Sequence, residues 1–146
     1  AAILHDIGYM INSRQHHKYA YFLIKNSDLS GFTAEEIDLI ANIARYHRRS
    51  VPTRKHDEFT VLPEGSQRVI NVLSALLRIA DGLDRSQFSV VQNIDVKVGK
   101  TVVITAQVSG DAELEIWAAR GRSDLFEKVF KRPVQFMTTP RDDDAT

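Results

Sequence analysis

The sequence predicts an α+β protein, a mainly helical region followed by a small antiparallel β-sheet subdomain with one helix. Three observations carry this. Apolar residues recur every three to four positions up to about Arg85, the period shortens to two near Ser86, and Gly99-Lys100 separates two β-branched runs as a hairpin turn would.

At 146 residues, 43% hydrophobic and 26% charged, the chain can bury a core unaided and is too apolar for wholesale disorder. Lys plus Arg and Asp plus Glu both number 19, so overall charge selects neither nucleic acid nor a membrane surface, and any electrostatic function must come from local clustering. The absence of cysteine excludes disulfide frameworks, zinc fingers and thiolate nucleophiles, and fits a reducing, cytoplasmic setting. No apolar run approaches the ~20 residues needed to span a bilayer.

Ala1 to Ile7 reads as helix with no capping residue and no initiator Met ahead of it, as expected of a piece of a longer protein. Gly8 reads as the stop. Residues 16–26 carry an apolar stripe that ends at Asn26-Ser27-Asp28. Thr33-Ala34-Glu35-Glu36 is a capping box, opening a helix with Ile37, Ile40, Ala41, Ala44 and His47 on one stripe. Residues 48–65, with Pro52, Pro63 and Gly65, predict a long loop of functional interest. Ser66 can cap the next helix, where Val69, Val72, Leu73, Leu76, Leu77, Ile79, Ala80 and Leu83 predict a broad buried face. Val90 to Val98 and Thr101 to Val108 form the hairpin, and Glu113 to Trp117 alternates like a third strand, with helix as its competitor. Ser123 can cap a short helix bearing Leu125, Phe126, Val129 and Phe130, halted by Pro133, after which Val134 to Met137 return as an edge strand.

Two groups of residues can carry chemistry. The first is His5-Asp6 with His16, His17, His47 and Asp81. Neighbours on one helix project only ~100° apart, so an adjacent His and Asp can address one metal ion, and other helices must complete the shell. Against this, a single histidine on an apolar helix face is more often a hydrogen-bonded core residue than a ligand, and Asp81 can simply pair with Arg78 or Arg85. The second group is Arg45, Arg48, Arg49, Arg54 and Lys55, a run without an acid, whose guanidinium forks suit phosphate oxygens. Compensation of a helix dipole by Arg45, Arg48 and Arg49 is the competing explanation.

Leu4-His5-Asp6-Ile7-Gly8, a later helix-borne histidine and Ala80-Asp81 resemble the HD superfamily of metal-dependent phosphohydrolases. His16 to Leu29, Gly31-Phe32-Thr33, Ala44-Arg45-Tyr46-His47-Arg48-Arg49 and Leu77 to Leu83 resemble, more specifically, the HD-like C-terminal region of the exopolyphosphatase/guanosine pentaphosphate phosphohydrolase (Ppx/GppA) family. The resemblance implies an HD-like helical domain over 1–87, truncated at its N-terminus, a small α/β subdomain over 88–140 and a disordered tail over 141–146. It implies a divalent metal at His5, Asp6 and Asp81, with His47 and either His16 or His17 as further ligands and His17 slightly favoured. HD domains take another histidine from an upstream helix, a position that would precede Ala1.

In that family, actin-like ATPase-fold domains with Mg hydrolyse terminal phosphates, and nothing in this chain resembles their phosphate-binding loops. The fragment is therefore expected to be inactive alone, binding polyphosphate or guanosine pentaphosphate through the Arg45–Lys55 run and supporting a homodimer of a cytoplasmic phosphoanhydride hydrolase. No membrane and no specific nucleic acid is expected as a partner. The alternatives are a self-contained HD-type phosphohydrolase and a non-catalytic regulatory module with a vestigial metal site.

Overall fold

The structure, a computed structural model, describes residues 1–140, and the tail expected to be disordered lies outside the described residues. The fold is α+β, as the sequence predicts. The chain divides into two compact units, Ala1–Leu77 and Arg78–Thr146, so the boundary falls inside a helix.

The first unit opens on turns, not on the expected helix. Leu4 N–H donates to the Ala1 carbonyl and Ile7 N–H to that of Leu4, leading into a 3-10 helix over Ile7–Met10. Gly8 explains the tight path. A Cβ there would stand 2.0 Å from the His16 carbonyl oxygen and 2.6 Å from the Ala20 nitrogen, so its role is close backbone approach to the following helix rather than a helix stop.

That helix is α1, His16–Lys25, closed by Asn26, whose side chain donates to the Phe22 carbonyl at 2.8 Å. The expected capping box is formed at the start of α2, Ala34–Arg45: the Glu36 amide donates to the Thr33 hydroxyl while the Thr33 amide donates to the Glu36 carboxylate. Ala20 and Ile24 meet Ala41 and Ala44 in the α1–α2 core, where the small alanines let the backbones approach, with Leu4, Ile7, Ile37 and Ile40 packed around them. A second cluster joins Ile43, Tyr46, Phe59 and Ile70.

Phe59 belongs to a single turn, α3, Asp57–Thr60, inside the segment expected to be loop throughout. The long helix α4, Glu64–Leu83, begins before Ser66, so Ser66 does not cap it and donates to Glu35 instead. The buried face of α4 matches the expected one at Ile79 and Leu83, but Ile70 and Ala75 are buried where Val69, Leu73 and Leu76 are exposed.

In the second unit, β1, Val91–Val98, and β2, Val102–Val108, form the predicted antiparallel hairpin. Glu113–Arg120 is a helix, α5, rather than the expected strand. Its buried positions, Ala112, Glu115, Ala118 and Ala119, are three and four apart, Asp111 accepts from the Glu113 amide, and Glu113 and Glu115 suit the positive end of the dipole. A Cβ at Gly82 would come within 2.6 Å of Ala119 Cα, so glycine is required where α4 meets α5.

Helix α6, Asp124–Phe130, follows, and the Ser123 hydroxyl beside it donates to the Arg120 carbonyl instead of capping. β3, Val134–Pro140, then pairs parallel to β2, giving the order β1-β2-β3 in a mixed sheet where an antiparallel one was expected. The crossover through two helices, not one, brings the chain back in the same direction. Among the described residues no helix is long and apolar enough to cross a membrane.

Candidate metal and anion site

Within the first unit the structure brings His5, Asp6, His16 and His47 together. His16 lies at the start of α1, on the same helical face as the buried Ala20 and Ile24, and His47 lies two residues beyond α2, so the α1–α2 core that fixes those helices also sets the spacing of the two imidazoles. His16 Nε2 is 3.1 Å from His47 Nε2, and Asp6 Oδ1 is 3.2 Å from the former and 3.6 Å from the latter. His5 Nε2 stands 3.5 Å from Asp6 Oδ2, and the His5 ring meets that of His47 edge-on.

The backbone decides the tautomers. His5 Nδ1 lies 2.6 Å from the Ala2 carbonyl, His16 Nδ1 2.8 Å from that of Ser13, and His47 Nδ1 2.6 Å from that of Ala44. A carbonyl can only accept, so each Nδ1 carries a proton, and each ring in its neutral form turns an Nε2 lone pair away from that carbonyl. Nε2 of His16 and Nε2 of His47 face each other and a carboxylate oxygen, and with both rings neutral a shared cation would reconcile that arrangement. Ligands about 2.1 Å from one ion stand about 3.0 Å apart at octahedral and about 3.4 Å apart at tetrahedral angles. Separations of 3.1 and 3.2 Å fall in that range, and 3.6 Å lies just above it. Asp6, His16 and His47 thus form a donor set that can hold a metal ion, with the backbone carbonyls orienting its rings.

Two further residues border the group: Tyr9, which the sequence did not single out, and Arg48, which it offered as a phosphate ligand. Tyr9 stacks on His16 with centroids 3.8 Å apart, and Arg48 donates to the Tyr9 hydroxyl at 3.4 Å while reaching His16 Nε2 at the same distance. The group thus has a guanidinium on one side.

His17 points elsewhere, into a cavity of about 240 Å³ lined with Lys18, Arg45, Tyr46, Ser50 and His56. Among the described residues its buried Nδ1 has no hydrogen-bond partner. Burial first, then His16 and the guanidinium groups of Arg48, Arg49 and Arg45, push its imidazole down to about 4, so it is neutral at physiological pH. Tyr46 is pushed up to about 12, chiefly by burial, and its hydroxyl meets His56 Nδ1 at 2.9 Å. Asp81 lies in the second unit, where it is ion-paired with Arg122.

The basic run divides. Arg45 is ion-paired with Glu58 and lies over the rings of Tyr21 and Tyr46. Arg48 is half-buried, and Arg49, Arg54 and Lys55 are exposed.

Comparison with known proteins places these features in context. A family profile described as Ppx/GppA phosphatase, domain III, matches residues 1–113. The guanosine-5'-triphosphate,3'-diphosphate pyrophosphatase of Pseudoalteromonas translucida (strain TAC 125) is 32% identical over 80 residues, 54% of this chain. The match spans 15% of the length of that relative.

Proposed function

The chain belongs to the Ppx/GppA phosphatase family, as its domain III, and on that premise we propose that it anchors a phosphate polyanion and supports dimerisation of a longer phosphoanhydride hydrolase. Inorganic polyphosphate and guanosine pentaphosphate share the chemistry that such a site would recognise. Hydrolysis of the terminal phosphate would fall to other domains of that protein.

The observation that supports the anchoring role is where α2 ends. Its last residue is Arg45, which is ion-paired with Glu58, while Arg48 and Arg49 follow beyond its final turn. With Arg54 and Lys55 they form a run of basic residues, of which Arg49, Arg54 and Lys55 are exposed. Arg48 also joins this run to the Asp6/His16/His47 group. A divalent ion bound there would supply a positive charge for phosphate oxygens.

The test is binding of long-chain polyphosphate by the 146-residue chain across a salt series. Each exposed contact contributes up to about 1 kcal/mol, so Arg48→Ala with Arg49→Ala should weaken binding several-fold while leaving the melting temperature unchanged, and affinity should fall as salt rises. Unchanged affinity with a lowered melting temperature would reject the anchoring role.

The oriented imidazole donors favour a second reading, a metal-dependent phosphohydrolase. It requires manganese binding by calorimetry that His16→Ala abolishes, together with phosphomonoester hydrolysis by the wild-type chain.

A further inference from the structure

We propose that β1 is the dimerisation edge: two copies of this chain pair their β1 strands antiparallel about a two-fold axis at Val96, making one six-stranded sheet. This rests on the dimer included in the proposed function and names its interface.

The sheet order leaves β1 at an edge, and seven of its eight residues are exposed. The opposite edge strand, β3, is bracketed by Pro133 and Pro140, residues that cannot donate to a further ladder. Within 91–98 there is neither proline nor glycine, and the one irregularity, between Val91 and Asn93, sits at the far end. Such an edge is a template for another strand unless it is guarded.

Side chains on β1 are arranged for a partner. Ile94, Val96 and Val98 share a face with their register partners Ala106, Ile104 and Val102. The three β2 residues are buried, yet the β1 residues remain 47%, 51% and 71% exposed. The apolar face therefore runs past the cover that the unit itself provides.

Backbone phase agrees. Gly99 N–H donates to the Thr101 carbonyl, so the inward-pointing groups on this strand belong to the odd-numbered residues, and those of Ile94, Val96 and Val98 point to the open edge. A pair centred on Val96 sets these three residues against Val98, Val96 and Ile94 of the second copy, all in hydrogen-bonding positions.

Charge selects the register. Centring on Val96 places Asp95 opposite Lys97 of the second copy, and Lys97 opposite its Asp95, two cross-strand ion pairs on the polar face. Centring on Asp95 would oppose two carboxylates and centring on Lys97 two ammonium groups, both destabilising. A closed two-fold pairing also consumes the edge, so assembly stops at the dimer.

The experiment is the solution mass of the full 146-residue chain by sedimentation equilibrium, for the wild type, Asp95→Lys, Lys97→Asp and the double exchange. Each single reversal sets two like-charge pairs across the edge and should raise the dimer dissociation constant at least about tenfold. The double exchange should restore the dimer, which also shows that the single variants had not merely misfolded. A wild-type dimer indifferent to both single reversals would overturn the β1 edge while leaving dimerisation standing. A wild-type monomer would overturn both.

Discussion

Glu115 is buried on α5, and its carboxylate accepts from the Ser86 amide at 3.0 Å. Burial alone would raise its pKa, but the hydrogen bonds from Ser86 outweigh it and hold the carboxyl below its usual value. A depressed carboxylate stabilises the fold above the unfolded value near ~4.3 and loses that contribution as pH falls through the folded value. Glu115→Ala should therefore cost about 1–3 kcal/mol at neutral pH by leaving the half-buried Ser86 amide unpaired. The gap between wild type and variant should narrow in urea unfolding below pH 4, and a gap independent of pH would contradict this account. At the metal-capable group, His5, Asp6 and His47 were singled out as a motif together with both His16 and His17, between which the motif alone does not choose. Adjacent helical positions point ~100° apart, and packing fixes which one faces inward. The signal was present in Ala20 and Ile24, four and eight residues beyond His16, which continue its face into the core. Neither Tyr9 nor the contact of Arg48 with His16 left such a trace, because only tertiary packing brings them beside that ring.

Single elements were legible wherever a local interaction decides them. The capping box needs only Thr33 and Glu36, and its two hydrogen bonds are both made, with those to Thr33 holding the Glu36 carboxyl below its ordinary value. Thr33→Ala should cost about 0.5–2 kcal/mol of stability, read as a lowered urea midpoint with unchanged slope. No change in midpoint would mean that α2 is held by its packing alone. Glu113–Arg120 misled because Leu114 and Ile116 alternate over a stretch too short to separate the two periods, while the residues that face inward include an acid, Glu115. The same difficulty shifted the face of α4. Its largest aliphatics suggested one stripe, but Ser74, Ala75 and Arg78 are buried with Ile70, Ile79 and Leu83, and small or paired polar groups are invisible to a count of apolar ones.

For the chain as a whole, the α+β class followed from the change of period near Ser86, and the hairpin followed from its turn. The parallel partner of β2 did not, because pairing of Val102 with Val134 depends on where the intervening helices return the chain. That connectivity also dictates a sequence of events in time. The β1–β2 hairpin closes across a three-residue turn and can form within roughly microseconds, whereas β3 has no strand to join until α5 and α6 have been laid down behind it. Val134→Ala should consequently act on the unfolding limb of a stopped-flow chevron and leave the refolding limb nearly unmoved; slowed refolding would place β3 in the nucleus instead. While β3 is still undocked, the central strand β2 has one side bare, so a newly made chain passes through an interval in which its most apolar strand is open to any neighbour. The time taken to complete that crossover, more than the final stability, sets how concentrated the refolding protein can be before it aggregates.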